Sequence, residues 1–158
     1  MNLYVKQKVF SWGDKFAVYD EQGNERFYVW GEVFTLGKKL HVENLMGEEV
    51  AFIHQKPFSF KLRYFVNRNG QDVAEVVKEI TFFRQAYTVN GFGWEIHGDF
   101  MAHEYEILQN GNPIISVSKQ WFTWGDAYEI NILPGIDEVD ALSVVLIIDA
   151  CLAASNNS

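Results

Sequence analysis

The sequence predicts a mainly β fold: a closed antiparallel barrel of about twelve strands around a buried hydrophobic C-terminal α-helix. Three observations predict it. A unit of about 24 residues can be traced through six copies, from VFSWGDKFAVYDEQGN (9–24) to WFTWGDAYEINI (121–132). Each unit carries stretches that alternate with period two around a Gly-bearing turn, the pattern of a β-hairpin. The chain then closes on IDEVDALSVVLIIDACLAA (136–154), long enough for a helix and apolar nearly all round.

The first copy aligns with VFTLGKKLHVENLMGE (33–48) and then with PFSFKLRYFVNRNGQ (57–71). The shared pattern is Phe, Ser or Thr, a short corner, an aromatic or Leu, any residue, and Val. ITFFRQAYTVNG (80–91) is a looser fourth copy, and the fifth lacks its corner but keeps EYEILQNGNPIISVSKQ (104–120). The first strand of each unit places one pair on a common face: Phe16/Val18, Leu40/Val42, Tyr64/Val66, Tyr87/Val89, Tyr105/Ile107 and Tyr128/Ile130. Turns such as DEQGN, NRNG and LQNGN lead into second strands that carry Phe27/Val29, Ala51/Ile53, Ala74/Val76 and Ile115/Val117. The sixth unit lacks its second strand, and LYVKQK (3–8) matches the second strand AFIHQK (51–56). Pairing of the two chain ends therefore closes the sheet and leaves no open edge. The two WGD corners are the corners of the first and last units, and Trp12 and Trp124 are expected to plug one barrel end.

Twelve strands enclose more space than their own side chains fill, since about eight suffice. The closing apolar segment supplies the filling. Asp137 is its N-cap, and Glu138 and Asp140 suit the positive end of the helix dipole. The uninterrupted stretch Ala141–Ile148 is too short for a membrane span, which needs about 20 apolar residues. Asp149 enters an apolar environment, where it either finds a hydrogen-bonding or cationic partner or is protonated. One domain over residues 1–158 is expected, with the barrel at about 3–133 and the helix at about 137–154.

The net charge is −8, unevenly spread: residues 1–84 hold 12 basic and 11 acidic side chains, residues 85–158 only Lys119 against 10 acids. This balance disfavours nucleic acid as a partner. A single cysteine, Cys151, excludes an internal disulfide and fits a reducing compartment. MNLYVKQKVF does not read as a secretory signal, so the cytoplasm is the expected location.

Two groups of residues carry candidate chemistry. Lys56, Lys61, Arg63 and Arg68 cluster around the third corner, with 61 and 63 on one side of an extended segment. They could hold a phosphate or carboxylate, or form a solvated face. HGDFMAHE (97–104) gathers His97, Asp99, His103 and Glu104, a metal or acid–base composition without HExxH or CxxC spacing. Gly98 and the change of alternation there indicate a turn between strands instead. No nucleophile elbow, phosphate loop or dinucleotide fingerprint occurs, so no catalytic residue, metal or cofactor is assigned.

YVKQKVFSWGDKFAVYD, GNERFYVWG, HGDFMAHEYEI, SKQWFTWGDAYEI and the apolar C-terminal segment together resemble the LURP-one-related proteins and their small bacterial relatives in the tubby C-terminal-like superfamily. The resemblance spans essentially the whole chain. It implies the twelve-stranded barrel around a C-terminal helix, in a family whose small bacterial members have no settled activity; the expected function is a non-enzymatic intracellular binding or scaffold module. Tubby proteins bind phosphoinositide headgroups through basic side chains that include a Lys-x-Arg pair. The matching pair here is Lys61-Leu62-Arg63. The implied partner is a phospholipid headgroup, with the protein peripheral at a membrane. The alternatives are a protein-interaction module using Tyr28, Trp30 and Phe52, or a metal-dependent enzyme at His97, Asp99 and His103.

Overall fold

A computed structural model describes residues 1–6, 15–82, 85–122 and 125–156. Twelve strands form the wall: β1 (Asn2–Lys6), β2 (Phe16–Tyr19), β3 (Glu25–Gly31), β4 (Lys39–Glu43), β5 (Glu49–Gln55), β6 (Arg63–Arg68), β7 (Gln71–Glu79), β8 (Ala86–Asn90), β9 (Trp94–Asp99), β10 (Glu104–Gln109), β11 (Asn112–Phe122) and β12 (Gly125–Ile132). Among the described residues a single helix, α1 (Glu138–Asn156), follows. Each strand pairs antiparallel with its neighbours in sequence, and β1 pairs with β12 to close the barrel. The seam runs from Asn2 opposite Asn131 to Lys6 opposite Ala127, so the two half-units at the chain ends complete one another.

The sequence repeat is also a repeat of geometry. Register shifts fall between Val18 and Tyr19, Val42 and Glu43, and Val66 and Asn67, the same place in three successive hairpins. In the first two, the Asp20 and Asn44 side chains each accept two backbone N–H groups across the turn, at 2.9 to 3.0 Å. Such Asx turns explain why Asp and Asn precede the turn glycine by three residues. Gly98 serves another purpose. A Cβ there would lie 2.5 Å from the Tyr105 Cα, so only glycine lets β9 and β10 approach this closely. The turn expected within 97–104 occupies residues 100–103.

Every alternating pair predicted to face inward is buried except Phe16, which packs half-buried against the same core. The opposite faces of these strands point outward, as the period of two requires. Inside, every residue of α1 from Ala141 to Ile148 is completely buried, as are Ala150 and Cys151. Asp137 caps the helix as expected, its Oδ1 accepting the Val139 and Asp140 N–H groups at 2.9 and 3.0 Å. Ser143, polar within this apolar surface, donates to the Val139 carbonyl one turn earlier at 2.7 Å. Between Ala141 and Ile148 the helix thus satisfies its one polar side chain itself and presents hydrocarbon to the wall.

The up-and-down path sorts the turns between two barrel ends. Residues 32–38, 56–62, 80–82 and 100–103 share one end with the C-terminus of α1. Turns at 20–24, 44–48, 69–70, 91–93 and 110–111 share the other end, where residues 133–137 lead into the helix.

Candidate functional site

The basic cluster divides between these two ends. Lys61 and Arg63 stand beside the 56–62 turn, and the Lys56 N–H donates to the Arg63 carbonyl at 2.8 Å, which brings all three together. Lys61 pairs with Glu79 on β7, and Arg63 Nη1 donates to Glu75 Oε1 at 2.6 Å. Hydrogen bonds from Lys61 and then Thr88 hold the Glu79 carboxyl below its ordinary value. Between this turn and the next lies a groove of about 520 Å³, lined by Phe60, Lys61, Leu62, Lys78, Ile80 and Thr81 among others.

Arg68 sits at the far end of β6. It bonds Asp137 at 3.1 Å and also pairs with Asp140, both at the start of α1. Burial, then the neighbouring Asp137 carboxylate, raise the Asp140 carboxyl against the opposing effect of Arg68. Arg68 therefore clasps the helix entry to the wall, away from the other three.

The residues of HGDFMAHE disperse. His97 points outward, 65 % exposed along its side chain, near Glu95. Asp99 accepts the Ala102 N–H at 3.2 Å within its own turn, and Glu104 accepts the Lys119 N–H at 3.0 Å. His103 takes a left-handed backbone conformation with φ of 54° and turns inward. Among the described residues no group of three or more His, Cys, Asp or Glu could hold a metal ion.

His103 meets the buried helix carboxylate instead. Asp149 is 7 % exposed; its Oδ1 lies 3.2 Å from His103 Nε2, and its Oδ2 accepts the Tyr128 hydroxyl. The His103 and Tyr128 rings stack with centroids 4.7 Å apart. Burial, then Asp149, push the Tyr128 phenol well above its ordinary value, so it stays a donor. The sequence flags Asp149 and His103 separately. Forty-odd residues of chain and a change of element separate them, so no local spacing joins them.

Cys151 adds no nucleophile. It is completely buried, and burial pushes its thiol up to about 12. A thiolate is the reactive form, so native protein is expected to resist a water-soluble thiol reagent at pH 8. Stoichiometric reaction should follow only in denaturant. Rapid labelling of the native chain would mean that the helix end opens.

On the outside of β3–β6, Trp30, His41, Phe52, His54 and Phe65 form a half-buried stack, with successive centroids 4.1 to 5.3 Å apart. Cross-strand register and the period of two align them. Carboxylates edge the stack: Glu43 accepts from Trp30 Nε1 at 2.8 Å, Glu32 and Glu49 flank His41, and Asp72 lies 2.9 Å from His54. Tyr28, the other predicted surface aromatic, donates to Glu25 and lies under Lys15. Trp12 and Trp124 of the WGD corners lie outside the described residues.

No helix among the described residues is long and apolar enough to cross a membrane. The chain is 35 % identical over 152 residues to the uncharacterized protein YxjI of Bacillus subtilis, covering 96 % of this chain and 94 % of that one. An X-ray structure of an Arabidopsis thaliana protein superposes with a TM-score of 0.66 at 15 % identity, over 95 % of this chain and 90 % of the other, which shows a shared fold. The LURP-one-related family model matches residues 1–149. With the closed twelve-stranded barrel and its threaded helix, these matches establish that the chain belongs to the LURP-one-related family.

Proposed function

We propose that the protein is a non-enzymatic binding module that recognises phospholipid headgroups with one end of its barrel. The observation that carries this reading is the segregation of charge between the turns. At the end where α1 terminates, the described turns hold Lys38, Lys56 and Lys61 with one acid, Glu32. The turns at the opposite end hold Asp20, Glu21, Glu48 and Asp137 and no basic residue. An acidic chain with this distribution is steered lysine end first toward an anionic surface. Arg63 supports the same end from the first position of β6, whereas Arg68 is committed to the helix entry. Anionic headgroups would compete with Glu79 and Glu75 for Lys61 and Arg63, an exchange of one anion for another.

Flotation with vesicles of phosphatidylcholine alone, with added phosphatidylserine, or with added phosphoinositide tests the proposal. Binding is expected only with anionic lipid and should weaken as salt rises. Each lysine near the surface contributes about 1 kcal/mol, so Lys56→Ala/Lys61→Ala should weaken binding roughly 30-fold. Absence of binding to every anionic vesicle at low salt would remove the proposal. The stacked stripe from Trp30 to Phe65 favours a second reading, a protein-interaction surface, whose signature would be self-association or partner capture lost in Trp30→Ala.

A further inference from the structure

The lysine-bearing end also carries a set of apolar side chains that neither the core nor the headgroup reading uses. Phe34, Phe58, Phe60 and Phe82 are 105, 92, 93 and 98 % exposed, and Val33, Leu36, Ile80 and Met101 at the same end are exposed too. Folded chains bury phenylalanine where they can, and such a concentration on one rim marks a contact site. The other end exposes Met1, Leu45, Met46 and Leu133 but no phenylalanine: its turn phenylalanine, Phe92, lies half-buried against Trp94 with centroids 4.6 Å apart.

The backbone maintains this exposure against its own preference. Phe34 and Phe58 have φ of 60° and 58°, the left-handed region that a bulky side chain rarely occupies. They hold equivalent positions in successive repeats, so the same strained corner is made twice. Both turns are tied at their bases. Thr35 Oγ1 donates to the Gly37 carbonyl at 2.8 Å, the Lys38 and Gln55 backbones are bonded at 2.8 Å, and Ser59 Oγ accepts from Arg63 Nε at 3.4 Å. The turn backbones direct both rings outward.

From this geometry we infer that the phenylalanine-tipped turns insert into the hydrocarbon boundary of an anionic lipid layer while the lysines behind them meet the headgroups. The inference rests on the headgroup reading above and adds an orientation and a second source of affinity. The nearly full exposure of Phe34, Phe58 and Phe60 means these three rings do not cover one another, so they form separated points. A fluid apolar phase accommodates separated points without a matching pocket for each. Their placement beside Lys38, Lys56 and Lys61 suits a surface that is anionic outside and apolar beneath. The acidic turns at the opposite end then face water.

Two measurements on the full chain separate this inference from the one it rests on. Phe34→Ser/Phe58→Ser should weaken partitioning into phosphatidylserine vesicles roughly a hundredfold, about tenfold for each ring withdrawn from water. The lysines remain intact in that variant, and an unchanged unfolding midpoint verifies its fold. An environment-sensitive dye on Phe58→Cys should shift to the blue and be quenched by brominated acyl chains when vesicles are added. The same dye on Leu45→Cys, at the far end, should do neither. Vesicle binding with the dye at position 58 still in water would overturn insertion and leave headgroup recognition standing. No vesicle binding at all would overturn both. Loss of self-association in the serine variant, with vesicle binding unaltered, would assign the rim to a second copy of this chain and overturn the inference.

Discussion

Leu146→Ala is expected to lower the free energy of unfolding by about 2–5 kcal/mol. Leu146 lies midway along α1, completely buried, in a barrel whose wall alone does not fill its interior. Truncation removes hydrocarbon from contact with strands that close on one another through hydrogen bonds, so the wall cannot collapse inward to fill the space. This places the expected loss toward the upper part of the range. Urea denaturation followed by far-ultraviolet circular dichroism measures it, with Leu45→Ala at an exposed turn as the comparison, expected to shift stability by less than about 0.5 kcal/mol. A loss below about 1 kcal/mol for Leu146→Ala would mean that the helix does not support the wall.

Asp149→Ala should cost about 3 kcal/mol, because it strands two partners and not one. The Tyr128 hydroxyl would lose its acceptor inside the barrel, and His103 would lose the contact that holds its ring over Tyr128. The cost arises from orphaned polar groups, so removing the neighbour as well should recover part of it. Asp149→Leu/Tyr128→Phe is expected to be more stable than Asp149→Ala, and a double-mutant cycle on Asp149 and Tyr128 should show coupling above about 1 kcal/mol. Strict additivity of the two single losses would sink this account. The same experiment bears on function, since a cluster whose removal alters stability alone is structural.

The sequence carried the barrel because its evidence is local and repeated. Alternation with period two assigns Val18, Val42 and Val66 to one face whatever the rest of the chain does. The recurring turn chemistry of Asp20 and Asn44 sets the hairpin register. The closing helix was legible for a related reason: a segment with no polar face has to be surrounded, and a wide barrel has to be filled.

The candidate site was legible only in part. Lys56, Lys61 and Arg63 are close in sequence and remain close in space, whereas Arg68 is five positions further along an extended strand and so reaches the other barrel end. The meeting of His103 with Asp149, and the stack from Trp30 to Phe65, depend on which strands are neighbours and in what register.

The sequence by itself determined the hairpins, their inward faces, the closure of chain end on chain end and the burial of the final helix, because each follows from the period and chemistry of a short segment. Only the tertiary structure decided how charge and exposed phenylalanine are distributed. Along the chain the charges divide into a balanced first half and an acidic second half. The up-and-down path regroups the turns by parity, which collects every other turn on one rim and sets lysines and phenylalanines from distant segments side by side. Local periodicity carries no information about that regrouping, because it is a property of strand direction around a closed sheet.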